Sequence, residues 1–235
     1  MSAWRASCSQ SNLKARAALY TQIRAFFVAR DVLEVETPLL SVSTATDPQL
    51  ESIQAQVKTH IGLEAKPYYL QTSPEFPMKR LLASGSGAIY QICKTFRNGE
   101  TGRKHNPEFT MLEWYRPGFS LEDLMQELEQ LTTQILGTAE AERLSYRDAF
   151  LHYVNIDPFN VKDAELAVRA QTLADYHGPE MSRDDNLNLI LSICIEPNLG
   201  IDRPCFLYEY PPSQASLAKV NLSSAGVPVA QRFEL

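Results

Sequence analysis

The sequence lacks the marks of several large protein classes. No apolar run reaches the ~18 residues that a membrane span needs. The first twenty residues carry scattered Arg and Lys around no apolar stretch, so no secretory signal is expected. The four cysteines, Cys8, Cys93, Cys194 and Cys205, include no C-x-x-C pair. That argues against zinc sites and a disulfide scaffold, and for reduced, mostly buried thiols in a cytoplasmic protein. With 10 Gly and 14 Pro in 235 residues, the chain is no low-complexity polymer. No internal repeat or Gly/Ser linker divides it, and a single domain over residues 1–235 is expected, burying roughly 70% of its unfolded surface.

Net positive charge is also missing. The formal charge is −6, which speaks against a protein built to hold a long nucleic acid. The charge is unevenly spread. Residues 1–116 carry a net +4, residues 117–196 a net −10, and residues 197–235 balance. An anionic ligand would therefore meet the first half of the chain.

Leu13, Ala17, Tyr20, Ile23 and Phe27 recur at helical spacing and predict a helix over 12–30, capped by Ser11 or Asn12. Leu33 and Val35, alternating with Glu34 and Glu36, predict a half-buried strand over 32–38 that Pro38 closes. A strand over 67–71 leads to a helix that begins near Pro74 and runs through Leu82. Beyond Gly85 and Gly87 the period becomes two. Tyr90, Ile92, Lys94 and Phe96 share one face, and Ile89, Gln91, Cys93, Thr95 and Arg97 the other. A polar loop over 98–107 separates this strand from one over 108–115, giving an antiparallel hairpin whose long connection marks it as functional. The acidic segment, at about 117–196, reads as mainly helical. It opens with a helix capped by Ser120 and ended by Gly137, followed by helices over 146–154, 164–174 and 185–195. A strand over 205–210 follows, and the strand beginning at Val229 has no visible partner after it. Strands, then helices, then a strand predict an α+β fold with an antiparallel sheet.

The hairpin carries the chemistry. Period two puts Phe109, Met111, Glu113 and Tyr115 on one face of its return strand. A carboxylate among such neighbours is costly unless paired, and the loop beside it supplies Arg97, Arg103, Lys104 and His105. An aromatic face, a positive rim and a deep carboxylate suit a nucleotide together with an ammonium-bearing small molecule. Glu75 admits two readings. Thr72-x-x-Glu75 is a capping box at a helix start, and Glu75 is also a candidate second carboxylate for the amine.

These residues carry a resemblance. Phe96-Arg97-Asn98, followed by Arg103-Lys104-His105-Asn106-Pro107-Glu108-Phe109-Thr110-Met111-Leu112-Glu113-Trp114-Tyr115, resembles motif 2 of the class II aminoacyl-tRNA synthetases in its lysyl form. Val35-Glu36-Thr37-Pro38 after a long helix resembles motif 1. Thr72-Ser73-Pro74-Glu75, Met78-Lys79-Arg80-Leu81 and Ser213-Gln214-Ala215-Ser216-Leu217-Ala218-Lys219 are similar to a narrower group. That group is the lysyl-tRNA synthetase paralogues that ligate (R)-β-lysine to a lysine of translation elongation factor P. The resemblance covers nearly the whole chain. It implies a class II synthetase-like antiparallel sheet flanked by helices, a homodimer formed through the motif 1 helix and strand, and use of ATP and Mg²⁺. Lysine or β-lysine would be activated as an acyl-adenylate, with elongation factor P as the acceptor. Only eleven residues precede the first expected helix, too few for an anticodon-binding barrel, so tRNA is the less favoured acceptor.

The same resemblance implies roles. Arg97 would bridge the α-phosphate and the substrate carboxylate as the catalytic residue. Arg103, His105 and Asn106 would reach the outer phosphates, and Phe109 would stack on adenine. Asn98, Gly99 and Glu100 would complete the ATP site. Ser73, Pro74, Glu75, Glu113 and Tyr115 would hold the amine-bearing substrate. The chain departs from the family at two places. Gly99 stands where the family has a Glu that holds the adenine amino group, and a one-residue bulge at Gly99 would present Glu100 instead. The sequence also ends at Leu235, before the family's closing strands, its metal-binding carboxylates and motif 3. The resemblance therefore implies an incomplete catalytic domain with a bare sheet edge and no metal ligands of its own; a protein that truly ended there would aggregate readily and adenylate poorly. A non-catalytic relic and lysyl transfer to tRNA are the alternatives.

Overall fold

Ser9, rather than Ser11 or Asn12, starts the first helix, its hydroxyl accepting the Asn12 N–H at 3.1 Å. The computed structural model describes residues 8–47 and 50–235. They divide into two compact units, one ending at Gly118 and the other beginning at Phe119.

In the first unit α1 (Gln10–Val28) buries Ile23, Phe26 and Phe27. Then come β1 (Leu33–Glu34), β2 (Leu40–Ser41), β3 (Gln54–Val57), β4 (Lys66–Leu70), α2 (Glu75–Ala83), β5 (Ile89–Phe96) and β6 (Glu108–Tyr115). One sheet has the order β1-β5-β6 and the other β2-β4-β3. The strand expected over 32–38 shrinks to two residues paired in parallel with β5. Its alternation holds for half-buried Val35 between exposed Glu34 and Glu36 but fails at Leu33, 58% exposed, while Val32 is buried. Glu34, exposed as expected, is held by Arg24 at 3.0 Å and by the Tyr90 hydroxyl at 2.9 Å.

The hairpin forms as its periodicity predicts. β5 and β6 pair antiparallel over their whole length, with Gln91 opposite Glu113, Cys93 opposite Met111 and Thr95 opposite Phe109. Residues directly opposite share a face, so these six stand together. The other face is closed by α1: the Phe27 ring stacks on Tyr90 at 4.4 Å and lies 5.6 Å from Trp114. Such aromatic contacts add to the burial they bring. The candidate site residues stand on the face turned away from α1.

In the second unit α3 (Leu121–Leu136) opens with a Ser120–Asp123 capping box and ends at Gly137 in the left-handed region, φ +68. β7 (Glu142–Ser145), α4 (Tyr146–Val154), α5 (Asp163–Ala174), α6 (Arg183–Ile190), β8 (Cys205–Tyr210), β9 (Val220–Leu222) and β10 (Pro228–Glu234) follow. The helix expected over 185–195 starts earlier, on a Ser182 cap, and its last turn widens into a π-turn over 191–195. The sheet order is β7-β8-β10-β9. The strand at Val229, for which no later partner was visible, is flanked on both sides by earlier strands, β8 and β9. The fold class is α+β, but the sheets are mixed rather than purely antiparallel, since β1–β5 and β7–β8 run parallel. Tyr146, Phe150, Leu166, Leu187, Ile190 and Leu207 belong to this unit's core.

Candidate active site on the hairpin face

The first unit brings the amine-side candidates together. Ser73 sits in the turn before α2, where its oxygen accepts the Glu75 N–H at 3.1 Å. Its hydroxyl proton is donated to Glu113 Oε2 at 2.8 Å. The Tyr115 hydroxyl donates to the other oxygen, Oε1, at 2.5 Å. Each Glu113 oxygen thus accepts one hydrogen bond and keeps lone-pair capacity for a further donor. Burial, and then the bond to Glu113, push the Tyr115 phenol far above its usual range, so it stays a donor.

Pro74 is buried at the N-cap of α2, with no side-chain cap bond there. The capping box read from Thr72-x-x-Glu75 does not form. Helix entry is shifted by two residues, so Thr72 lies too early to reach the first turn. Glu75 instead pairs with Lys79 one turn on, at 2.6 Å. Its carboxylate is already engaged, unlike the doubly supported but still available Glu113.

Arg97 stands at the open end of the hairpin. Its Nε donates to the Thr72 carbonyl at 3.4 Å, and its guanidinium carbon lies 5.2 Å from the centre of the Phe109 ring. Glu100 comes within 3.8 Å of the Arg97 guanidinium. The expected bulge at Gly99 is absent as such. β5 ends at Phe96, and Asn98 leaves the ladder by donating its N–H to the Glu51 carbonyl at 2.8 Å and its amide to Glu51 Oε1 at 2.7 Å. The chain then reverses in a turn with Gly99 at φ +75, a conformation that favours glycine. Glu100 reaches the guanidinium through a turn beyond the strand. Arg103, His105 and Asn106 are exposed in the following loop, where Gly102 and His105 exchange backbone hydrogen bonds.

Beneath Glu113 lies a polar floor that sequence reasoning did not single out. Gln91, 2% exposed, accepts a hydrogen bond from Thr37 Oγ1 at 3.0 Å. Gln71 donates from its amide nitrogen to Cys93 Sγ at 3.3 Å and to the Lys94 carbonyl at 2.9 Å. Burial, with a smaller push from the Glu113 charge, raises the Cys93 thiol to about 11. The period-two reading already put Gln91 and Cys93 on Glu113's face; Gln71 and Thr37 lie on other segments and gave no such signal.

A cavity of about 1330 Å³ in the second unit, lined in part by Asp184, Ser213, Gln214 and Arg232, includes none of the candidate residues. Among the described residues no three His, Cys, Asp or Glu side chains cluster to hold a metal ion. Among the described residues, no helix is long and apolar enough to cross a membrane.

The hairpin thus joins an aromatic, a guanidinium and an oriented carboxylate on one face. The chain belongs to the class II tRNA synthetases (D, K and N), whose family model matches residues 1–235. It is thus an ATP-dependent amino-acid ligase by family. It is 46% identical over 234 residues to the elongation factor P–(R)-β-lysine ligase of Pectobacterium atrosepticum, covering 99% of this chain and 71% of that protein. The protein of the same name from Yersinia enterocolitica is 47% identical over 234 residues, with 99% and 71% covered. That from Vibrio atlanticus is 45% identical over 236 residues, with 100% and 72% covered.

Proposed function

We propose that this protein activates an amine-bearing amino acid, lysine or (R)-β-lysine, as its acyl-adenylate and transfers it to a lysine of elongation factor P. The Glu113 carboxylate, oriented by Ser73 and Tyr115 on the face that also carries Phe109, is the observation that carries this reading. A carboxylate fixed by two donors receives an ammonium without further reorganisation, and a charge-assisted bond is about twice as strong as a neutral one.

Arg97 is the catalytic residue in this reading. Activation joins two anions, the substrate carboxylate and the α-phosphate of ATP. A guanidinium between them offsets their repulsion and holds them in line. The carboxylate oxygen bonds to the α-phosphorus, the bond to the β-phosphate oxygen breaks, and pyrophosphate leaves. Phe109 offers its ring to adenine. Asn98, Gly99, Glu100, Arg103, His105 and Asn106 form the rest of the nucleotide side, with the exposed loop free to close over the outer phosphates. Ser73, Pro74, Glu75, Glu113 and Tyr115 form the amine side. In the second step the acceptor amine attacks the acyl carbon, the amide bond forms, AMP leaves, and the amine's proton passes to solvent.

The family match over residues 1–235 supports reading the whole chain as one catalytic domain; the homodimer, through the motif 1 resemblance, and the cytoplasmic location belong to the same reading. The names of the relatives support elongation factor P rather than tRNA as acceptor. The test is ATP–pyrophosphate exchange with (R)-β-lysine, followed by transfer to purified elongation factor P and, in parallel, to tRNA. Exchange with transfer to the factor is the expected result. Exchange with charging of tRNA alone would select the synthetase alternative, and binding without exchange the relic.

A further inference from the structure

The hairpin's open end is held from both sides. Phe96 donates its N–H to the Gln71 carbonyl at 2.9 Å, Arg97 to Pro107 at 2.9 Å and Asn98 to Glu51 at 2.8 Å. In an extended chain successive N–H groups point to opposite edges. Residues 96–98 are therefore gripped alternately by the chain leading into β6 and by the ends of β4 and β3. Glu51 holds Asn98 a second time, its Oε1 accepting the side-chain amide at 2.7 Å. A carboxylate acceptor makes that bond charge-assisted. Glu51 is itself backed by a sheet: two residues on, the Ile53 carbonyl accepts the Leu70 N–H at 2.9 Å, and β3 begins at Gln54.

This double hold matters because the Arg97 side chain is loosely held. Its Nε lies 3.4 Å from the Thr72 carbonyl and its guanidinium 3.8 Å from Glu100, both long for a hydrogen bond. The place of the guanidinium is thus set chiefly by its backbone, between the shorter bonds made by the N–H groups of Arg97 and Asn98. Directly beyond Asn98 the chain turns at Gly99, φ +75, into a mostly exposed loop. Asn98 is the last fixed point before that loop.

We propose that Glu51 is a positioning residue for the nucleotide, fixing through Asn98 the backbone of Arg97 and the root of the loop over 99–106. This rests on the function proposed above. Charge and anchoring make opposite demands of Glu51. A carboxylate repels a polyphosphate, so by charge alone its removal would tighten ATP binding. Anchoring requires the reverse sign. Glu51 stands 47 positions from Asn98 in sequence and outside every motif described above, so no spacing rule joins the two.

The experiment measures ATP and (R)-β-lysine binding separately by titration calorimetry on the full chain, native and with Glu51→Ala, Glu51→Gln, Asn98→Ala and the Glu51→Ala/Asn98→Ala pair. Glu51→Ala keeps the backbone bond and loses only the carboxylate. It should weaken ATP binding roughly three- to tenfold, the value of one side-chain hydrogen bond to a charged group, and leave (R)-β-lysine affinity unchanged. Glu51→Gln keeps an acceptor at the same reach and should lose about twofold. The double variant should bind ATP no worse than Asn98→Ala alone, since both changes break one bond. Amide hydrogen exchange over 99–106 should be faster in Glu51→Ala than in the native chain. Unchanged or tighter ATP binding in Glu51→Ala, additive losses in the double variant, or equal weakening of both ligands overturns the positioning role while the proposed function stands. If the native chain binds no ATP, the proposed function fails and the positioning role with it.

Discussion

Ser73 and Glu113, forty positions apart in sequence, meet at 2.8 Å through a hydroxyl that also accepts the N–H of Glu75. One side chain therefore ties the entrance of α2 to the middle of β6. The bond is directional: with its oxygen occupied by a backbone donor, the Ser73 proton points to the carboxylate. Glu113 is held from the helix side by Ser73 and from its own strand by Tyr115.

That arrangement ranks three substitutions. Glu113→Gln removes the charge an ammonium would meet and should weaken (R)-β-lysine binding by roughly 10–100-fold. Tyr115→Phe and Ser73→Ala each leave the charge but loosen its orientation, and should cost roughly tenfold or less. Titration calorimetry with the amino acid alone gives the order. Equal losses for all three would mean that the carboxylate's charge is not what binds.

Phe109 is only partly buried, with the Arg97 guanidinium carbon 5.2 Å from its ring centre. Phe109→Ala should therefore weaken ATP binding by roughly tenfold, through lost stacking of about 1 kcal/mol and lost contact area. It should lower stability by less than the 3–5 kcal/mol typical of a fully buried Phe. Phe109→Trp should retain ATP. Equilibrium ATP binding read against a urea melt separates the two effects. A large stability loss with unchanged ATP affinity would assign Phe109 to packing alone.

The hairpin and its faces were legible because period two is a geometric property of a strand: Phe109, Met111, Glu113 and Tyr115 fall on one side whatever surrounds them. Caps at Ser120 and Gly137 were legible for the same local reason. Long-range pairing was not. Nothing near Val229 announces that β10 slots between β8 and β9. Nothing near Leu33 shows that Arg24 and Tyr90 will claim Glu34. The site divides along the same line. Glu113 and Tyr115 share a strand and were found together, whereas Gln71 and Thr37 reach the site's floor from separate segments, where no spacing rule applies.

Gly99 adopts φ +75, and a Cβ built there meets no atom within 4 Å. Any side chain at this position is strained by its backbone and not by crowding. Gly99→Ala should lower stability by about 1 kcal/mol, and Gly99→Glu by a similar amount, whatever the new carboxylate does for the nucleotide. Glu100→Gln leaves that backbone alone and tests the carboxylate near Arg97 directly. It should change ATP affinity several-fold with an unchanged melting temperature. If Gly99→Glu strengthens ATP binding while Glu100→Gln is silent, the adenine-side carboxylate belongs at position 99 and not at 100.

Cys93 lies on the same face as Glu113, and burial is the main cause of its rise from about 9 to about 11. Two pH units mean roughly a hundredfold less thiolate than an unperturbed cysteine offers at the same pH. At pH 8, iodoacetamide should label the exposed Cys8 while Cys93 stays unmodified on the same timescale, and mass spectrometry of peptides would read the difference. The same shift links to stability. The folded state favours the protonated thiol, so this contribution is present below pH 9 and is lost as pH rises towards 11. Cys93→Ser keeps a small polar group that titrates in neither state. It should therefore flatten that part of the alkaline stability curve. Labelling of Cys93 at pH 8 as fast as that of Cys8 would show that the floor of the site is open to solvent, and would remove the low-dielectric setting in which Glu113 is argued to grip an amine.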